Sequence, residues 1–129
     1  RKSRRVWLEG EKMAAAFVLD KLVILDRLGG DEDIFAMMID MYLQDVVNNC
    51  NTLASTLALA DMVTLQREAH TVKGLLATFA DDEGAAMALA IEMQLKAGNM
   101  SGLEAPIAAL QARLLEVAEV LKAESVGQA

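Results

Sequence analysis

His70 is the only histidine in the chain, and Lys73 and Gly74 follow it within four residues. An imidazole can serve as nucleophile, general base or metal ligand near neutral pH. Nothing around it completes a self-contained catalytic set. The sequence has no Gly-rich phosphate loop, no Ser/His/Asp arrangement and no His-x-x-x-His pair. A single cysteine, Cys50, excludes an internal disulfide framework and any multi-cysteine zinc site.

The spacing of apolar residues decides which way His70 points. Met62, Leu65, Ala69, Val72, Leu76 and Phe79 recur three and four apart, the seam of a helix that packs in a bundle. At about 100° per residue, His70 falls roughly 130° from the middle of that seam, with Lys73 about 60° to one side and Gly74 about 40° to the other. A lone histidine is often a packed structural residue, but this angle puts it outside the core. Gly74 in mid-helix costs about 1 kcal/mol relative to alanine. A surface that must let another backbone or bulky group come close beside His70 would compensate for that loss.

The elements that must hold this patch are helical. The chain has 129 residues, of which 54% are apolar and only 4% aromatic, and one proline, Pro106. Most apolar residues are Ala, Leu and Met, which favour helices over sheets. Caps divide the chain. Leu19–Leu28 reads as a short helix stopped by Gly29-Gly30. Asp31 caps a long helix reaching about Leu59, and Asp61 opens a third reaching about Phe79. Asp81-Asp82 opens a fourth that ends near Gly98-Asn99. Ser101, with Glu104 three residues later, reads as the capping box of a fifth that runs to about Ala123. The expectation is an all-α fold: an antiparallel up-down four-helix bundle with an additional short N-terminal helix as a lid. Residues 1–17 form a basic tail or linker with some helix tendency, 18–123 the bundle, and 124–129 a C-terminal tail.

Ala69-His70-Thr71-Val72-Lys73-Gly74 resembles the A-H-x-x-K-G signature of histidine-containing phosphotransfer (HPt) domains of bacterial two-component phosphorelays. The resemblance extends from about Leu19 to Leu121, through a short helix, an acidic turn, a long helix, the histidine helix, and a fourth helix carrying Ile91-Glu92. It implies that His70 is the phosphoacceptor, taking a phosphoryl group from one receiver-domain aspartate and passing it to another. By the same resemblance Lys73 faces the phosphoryl oxygens, and Gly74 clears space for a docking receiver, with Arg67 and Ala77 on the same surface. Glu92 matches a Gln/Glu position that hydrogen-bonds the other ring nitrogen. The family's chemistry suits these residue types: a neutral imidazole forms a labile N–P bond, an ammonium offsets charge on the transferring group, and a polar partner fixes the tautomer. The module needs no cofactor of its own, because the receiver brings the aspartate and the Mg²⁺. It would be a phosphocarrier rather than a self-contained enzyme. Leu75 and Leu76 stand where the family usually has small residues, and Ala80 where glycine is common; these departures bear on which receiver is accepted.

Composition limits the partners. Lys+Arg is 12 against Asp+Glu 19, and Arg1, Lys2, Arg4 and Arg5 hold a third of the cations, so the remainder is strongly acidic. Such a body suits neither nucleic acid nor an anionic membrane, and no apolar run approaches the ~20 residues of a membrane span. A cytoplasmic monomer is expected, and because the first residue is Arg rather than Met the chain is expected to be a piece of a longer protein. The resemblance implies either the terminal domain of a hybrid sensor histidine kinase or a free-standing relay protein. Gly29-Gly30-Asp31-Glu32-Asp33 nearly spells the GGDEF motif of diguanylate cyclases, yet it lies between helix patterns and reads as a helix stop followed by a cap. Asp81-Asp82-Glu83 lacks EF-hand spacing and reads as an acid-rich helix start. The methionines, mostly at helical spacing, read as core filling, and Cys50 as a small buried residue. The alternative function is a non-catalytic bundle that binds a receiver as an adaptor, a role with no need for His70, Lys73 and Gly74 together.

Overall fold

The computed structural model describes residues 15–127, and among them every regular element is a helix. The helices are α1 (Lys21–Arg27), α2 (Glu32–Ala58), α3 (Met62–Thr78), α4 (Asp82–Lys96) and α5 (Glu104–Gly127). The basic residues Arg1–Arg5 lie outside the described residues. Four aspartates start four of the helices. Asp20, Asp31, Asp61 and Asp81 each accept a hydrogen bond from a backbone N–H of the first turn, and so satisfy donors that a helix start leaves unpaired.

Helices α2 to α5 close a ring in chain order. α3 packs most extensively on α4, α2 packs on α3 and α5, and α4 on α5. Short connections make neighbours antiparallel. The core runs the length of the bundle through Phe35, Ile39, Leu53, Leu65, Leu76, Ile91, Leu110 and Leu121, all buried. Tyr42 meets Phe79 edge-on at 5.5 Å and donates its hydroxyl hydrogen to the Leu114 carbonyl at 2.8 Å, which joins α2, α5 and the end of α3. Helix α1 lies across the end where α2 begins and α3 stops. Ile24 plugs into the core, Lys21 reaches Glu32 and Glu124, and Arg27 donates to the Ala77 carbonyl at 3.1 Å.

The turns after α2 and α3 use alanine where glycine is the usual stop. Ala60 and Ala80 adopt left-handed φ values of 56° and 60°. Each turn is closed by a backbone bond from the following aspartate, Asp61 to Thr56 and Asp81 to Leu76. Strain of about 1–2 kcal/mol for an L-residue in this region is offset by the closure and by the caps that follow at once.

Several expectations are corrected. α5 begins at Glu104, not at Ser101, because Ser101 is engaged elsewhere. Its amide and hydroxyl both bond Asn99 Oδ1, and Gln94 reaches its carbonyl. Buried Leu103 precedes the helix and its carbonyl takes the Ile107 amide. α5 also continues past Ala123 to Gly127, into the stretch expected to be a tail. At the other end Phe17 is buried and its amide donates to Glu116 at 2.8 Å, so the packed body starts before residue 18. The methionines are not core filling as a group: Met37, Met41 and Met93 are more than half exposed, while Met38, Met62, Met87 and Met100 pack at the edge of the core. Cys50 is half-buried rather than buried, and burial pushes its thiol pKa up.

Candidate functional site

α3 presents His70 near its midpoint, on the side away from the seam. Ala69 and Val72, its neighbours on the core side, are fully buried, whereas the His70 side chain is 65% exposed. Across the α3–α4 interface, Glu92 sits almost wholly buried, at 3% exposure. Its Oε2 lies 2.8 Å from His70 Nδ1. Lys73 Nζ is 2.9 Å from the other oxygen, Oε1, and Lys96 Nζ is 3.6 Å from Oε2. One buried carboxylate therefore collects the imidazole and two ammonium groups.

The charge state of Glu92 sets the tautomer of the ring. Burial alone would favour the neutral acid, but Lys73 first, and His70 after it, hold the carboxyl below its ordinary range. An ionised carboxylate can only accept, so Nδ1 carries the proton and Nε2 keeps a lone pair on the exposed side of the ring. The Lys73 contact is of a different kind. Its Nζ makes a close ion pair with Glu92 Oε1 whose alignment falls short of a good hydrogen bond. Lys73 thus rests on Glu92 in this structure rather than over the position beyond Nε2.

The surface beside His70 is low and apolar. Gly74 is exposed, and a Cβ added there would meet nothing within 4 Å. Gly74 and Ala77 form a ridge between two shallow grooves. One, of about 360 Å³, lies towards Ile24, Leu28 and Met38. The other, of about 390 Å³, lies towards Ala85, Ala86 and Leu89. Arg67 is exposed one turn before His70.

Two residues at or near this surface were not read from the sequence. Lys96 follows Glu92 by one turn of α4, and the acid-then-base i,i+4 spacing is a signal that could have found it. Arg27 reaches Ala77 from α1, and no local pattern marks that contact. Asp81-Asp82-Glu83 is a helix start, and its first residue has a second duty. Arg113 of α5 grips Asp81 with two nitrogens, at 2.6 and 2.8 Å, while Asp81 also caps α4 through the Gly84 amide. A buried ion pair is stabilising only with such complete hydrogen bonding. It also fixes Asp81 against Gly84, where a Cβ would run into the Asp81 carboxylate.

A family model for the Hpt domain matches residues 37–120. Among solved structures, the HPT domain of an Hpt sensor hybrid histidine kinase from Shewanella superposes with a TM-score of 0.74 at 20% identity, covering 86% of this chain and 95% of its own. Histidine-containing phosphotransfer protein B of Pseudomonas aeruginosa superposes with a TM-score of 0.74 at 21% identity, covering 83% and 93%. At those identities the likeness shows the fold alone. No curated protein sequence matches the chain.

Proposed function

Because the chain belongs to the Hpt domain family, we propose that it is a phosphocarrier that accepts a phosphoryl group on His70 from a receiver-domain aspartate and passes it to a second receiver. Hpt domains work with receiver domains in two-component systems, and phosphotransfer within a phosphorelay is the function of such modules. The observation that carries the reading for this chain is the exposed imidazole whose Nδ1 proton is held by buried Glu92.

The Nε2 lone pair attacks phosphorus as the acyl-phosphate P–O bond breaks, and that electron pair returns to the receiver's aspartate. Nδ1 keeps its proton throughout, so no base is needed on this side. Transfer onward is the reverse step with a different aspartate. Lys73, three residues from His70, offsets the charge of the transferring group in a loose transition state. The receiver supplies the Mg²⁺ as well as the aspartate, and this chain supplies no cofactor. Gly74, Ala77 and Arg67 form the surface on which the receiver seats. The domain acts as a cytoplasmic monomer, with a sensor histidine kinase as parent chain or upstream partner. Among the described residues no helix is long and apolar enough to cross a membrane.

The test is incubation with a phosphorylated receiver and Mg²⁺. The protein should gain an acid-labile, base-stable phosphoryl group, and His70→Gln should abolish it without loss of helix content. Tight receiver binding with no label would favour the adaptor reading instead.

A further inference from the structure

Glu92 has more cations around it than one carboxylate needs in the resting protein. Lys73 and His70 already occupy its two oxygens at 2.9 and 2.8 Å, yet Lys96 stands 3.6 Å from Oε2, beyond hydrogen-bond length and half exposed. Glu92 is only 3% exposed, so a cation that leaves it uncovers a charge that the fold otherwise shields from solvent. Lys73 is the one with reason to leave. Its ion pair falls short of good hydrogen-bond alignment, it sits three residues from His70, and a phosphoryl group on Nε2 would bring about two negative charges to the ring. His70 is not the group that turns away, because its ring is what the phosphoryl group joins and its Nδ1 hydrogen bond to Glu92 holds that ring in place.

We infer that Lys96 is a positioning residue that takes over the buried Glu92 carboxylate when Lys73 turns to the phosphoryl group on His70. The inference rests on the phosphocarrier reading above. In the resting state Lys96 is a loose outer contact. As Lys73 swings outward, Lys96 closes on Glu92, and the carboxylate remains ionised and keeps the ring tautomer. Without it, Lys73 could reach the phosphoryl group only by leaving a buried charge with a single hydrogen bond, which proteins tolerate badly. A bland role for Lys96 also exists, since a cation in the last turn of a helix complements the helix dipole. The two roles differ in what happens when Lys73 is absent.

The test is a double-mutant cycle on the whole chain with phosphoramidate as the small phosphoryl donor. Its P–N bond breaks as the Nε2–P bond forms, and ammonia leaves; incorporation at His70 is followed by ³¹P NMR. Lys96→Met should slow incorporation roughly tenfold in the native background and less than about twofold in a Lys73→Met background, where no ammonium changes place. Lys96→Arg should restore most of the native rate. Equal losses in the two backgrounds would overturn the inference, because Lys96 would then act by general charge or by helix stability. So would an unchanged rate in Lys96→Met. No label on the native chain from either phosphoramidate or a phosphorylated receiver would overturn the phosphocarrier reading itself, whereas label with independent losses overturns the Lys96 assignment alone.

Discussion

His70 Nδ1 lies 2.8 Å from Glu92 Oε2, so one buried carboxylate on α4 decides which nitrogen of an exposed ring on α3 is free to react. The first prediction follows from that bond. Glu92→Gln can still present an oxygen to the Nδ1 proton and should keep the tautomer, while Glu92→Leu should release the ring to the mixture found in free imidazole. ¹⁵N NMR of the ring nitrogens distinguishes the two. A ring unchanged in Glu92→Leu would show that the bond does not set the tautomer.

Glu92 should also make the fold sensitive to acid. Its carboxyl is held below the ordinary range when folded, so the ionised form is favoured by folding. That contribution is present above the unfolded carboxyl's pKa and is lost as pH falls through the lowered folded value. Urea midpoints should therefore fall more steeply for the native chain than for Glu92→Gln as pH drops through and below the ordinary carboxylate range. Parallel curves would refute this.

Gly74 in α3 and Gly84 in α4 should respond in opposite directions to alanine. At Gly74 a Cβ meets open space, so Gly74→Ala should gain helix propensity and stabilise by up to about 1 kcal/mol. At Gly84 it would strike Asp81, which Arg113 prevents from moving, so Gly84→Ala should destabilise by about 1–3 kcal/mol despite the same propensity gain. Thermal unfolding of both variants gives the signs directly.

Docking and transfer should separate between Gly74 and Lys73. Gly74→Gln places a long side chain on the ridge between the two grooves and should weaken receiver binding by obstruction. Lys73→Ala should leave binding nearly intact and slow transfer, because its charge matters most in the transition state. Calorimetric titration with the receiver, set beside single-turnover rates, reads both. Equal loss of affinity in the two variants would mean that the roles are wrongly divided.

What could be read along the chain was local. The Asp31, Asp61 and Asp81 caps and the seam from Met62 to Phe79 are set by residues three or four apart, which is the range over which a helix repeats. The outward angle of His70 follows from the same periodicity, and its pairing with Glu92 came from family likeness rather than from spacing. Contacts between helices left no such trace. Arg113 meets Asp81 across 32 residues, and Arg27 meets Ala77 across 50, because the rotation of each helix against its neighbours brings them together. Lys96 shows its i,i+4 relation to Glu92 in sequence, but that it shares a buried oxygen with His70 depends on how α4 packs on α3. Ser101 shows the converse: a well-formed local cap signal was overridden once Asn99 and Gln94 took its hydrogen bonds. Likewise, Met37, Met41 and Met93 carry the hydrophobicity of core residues, and only the ring of packed helices decides that those positions face out. Periodicity gives the direction of a side chain about its own helix axis, and tertiary packing alone decides what stands opposite.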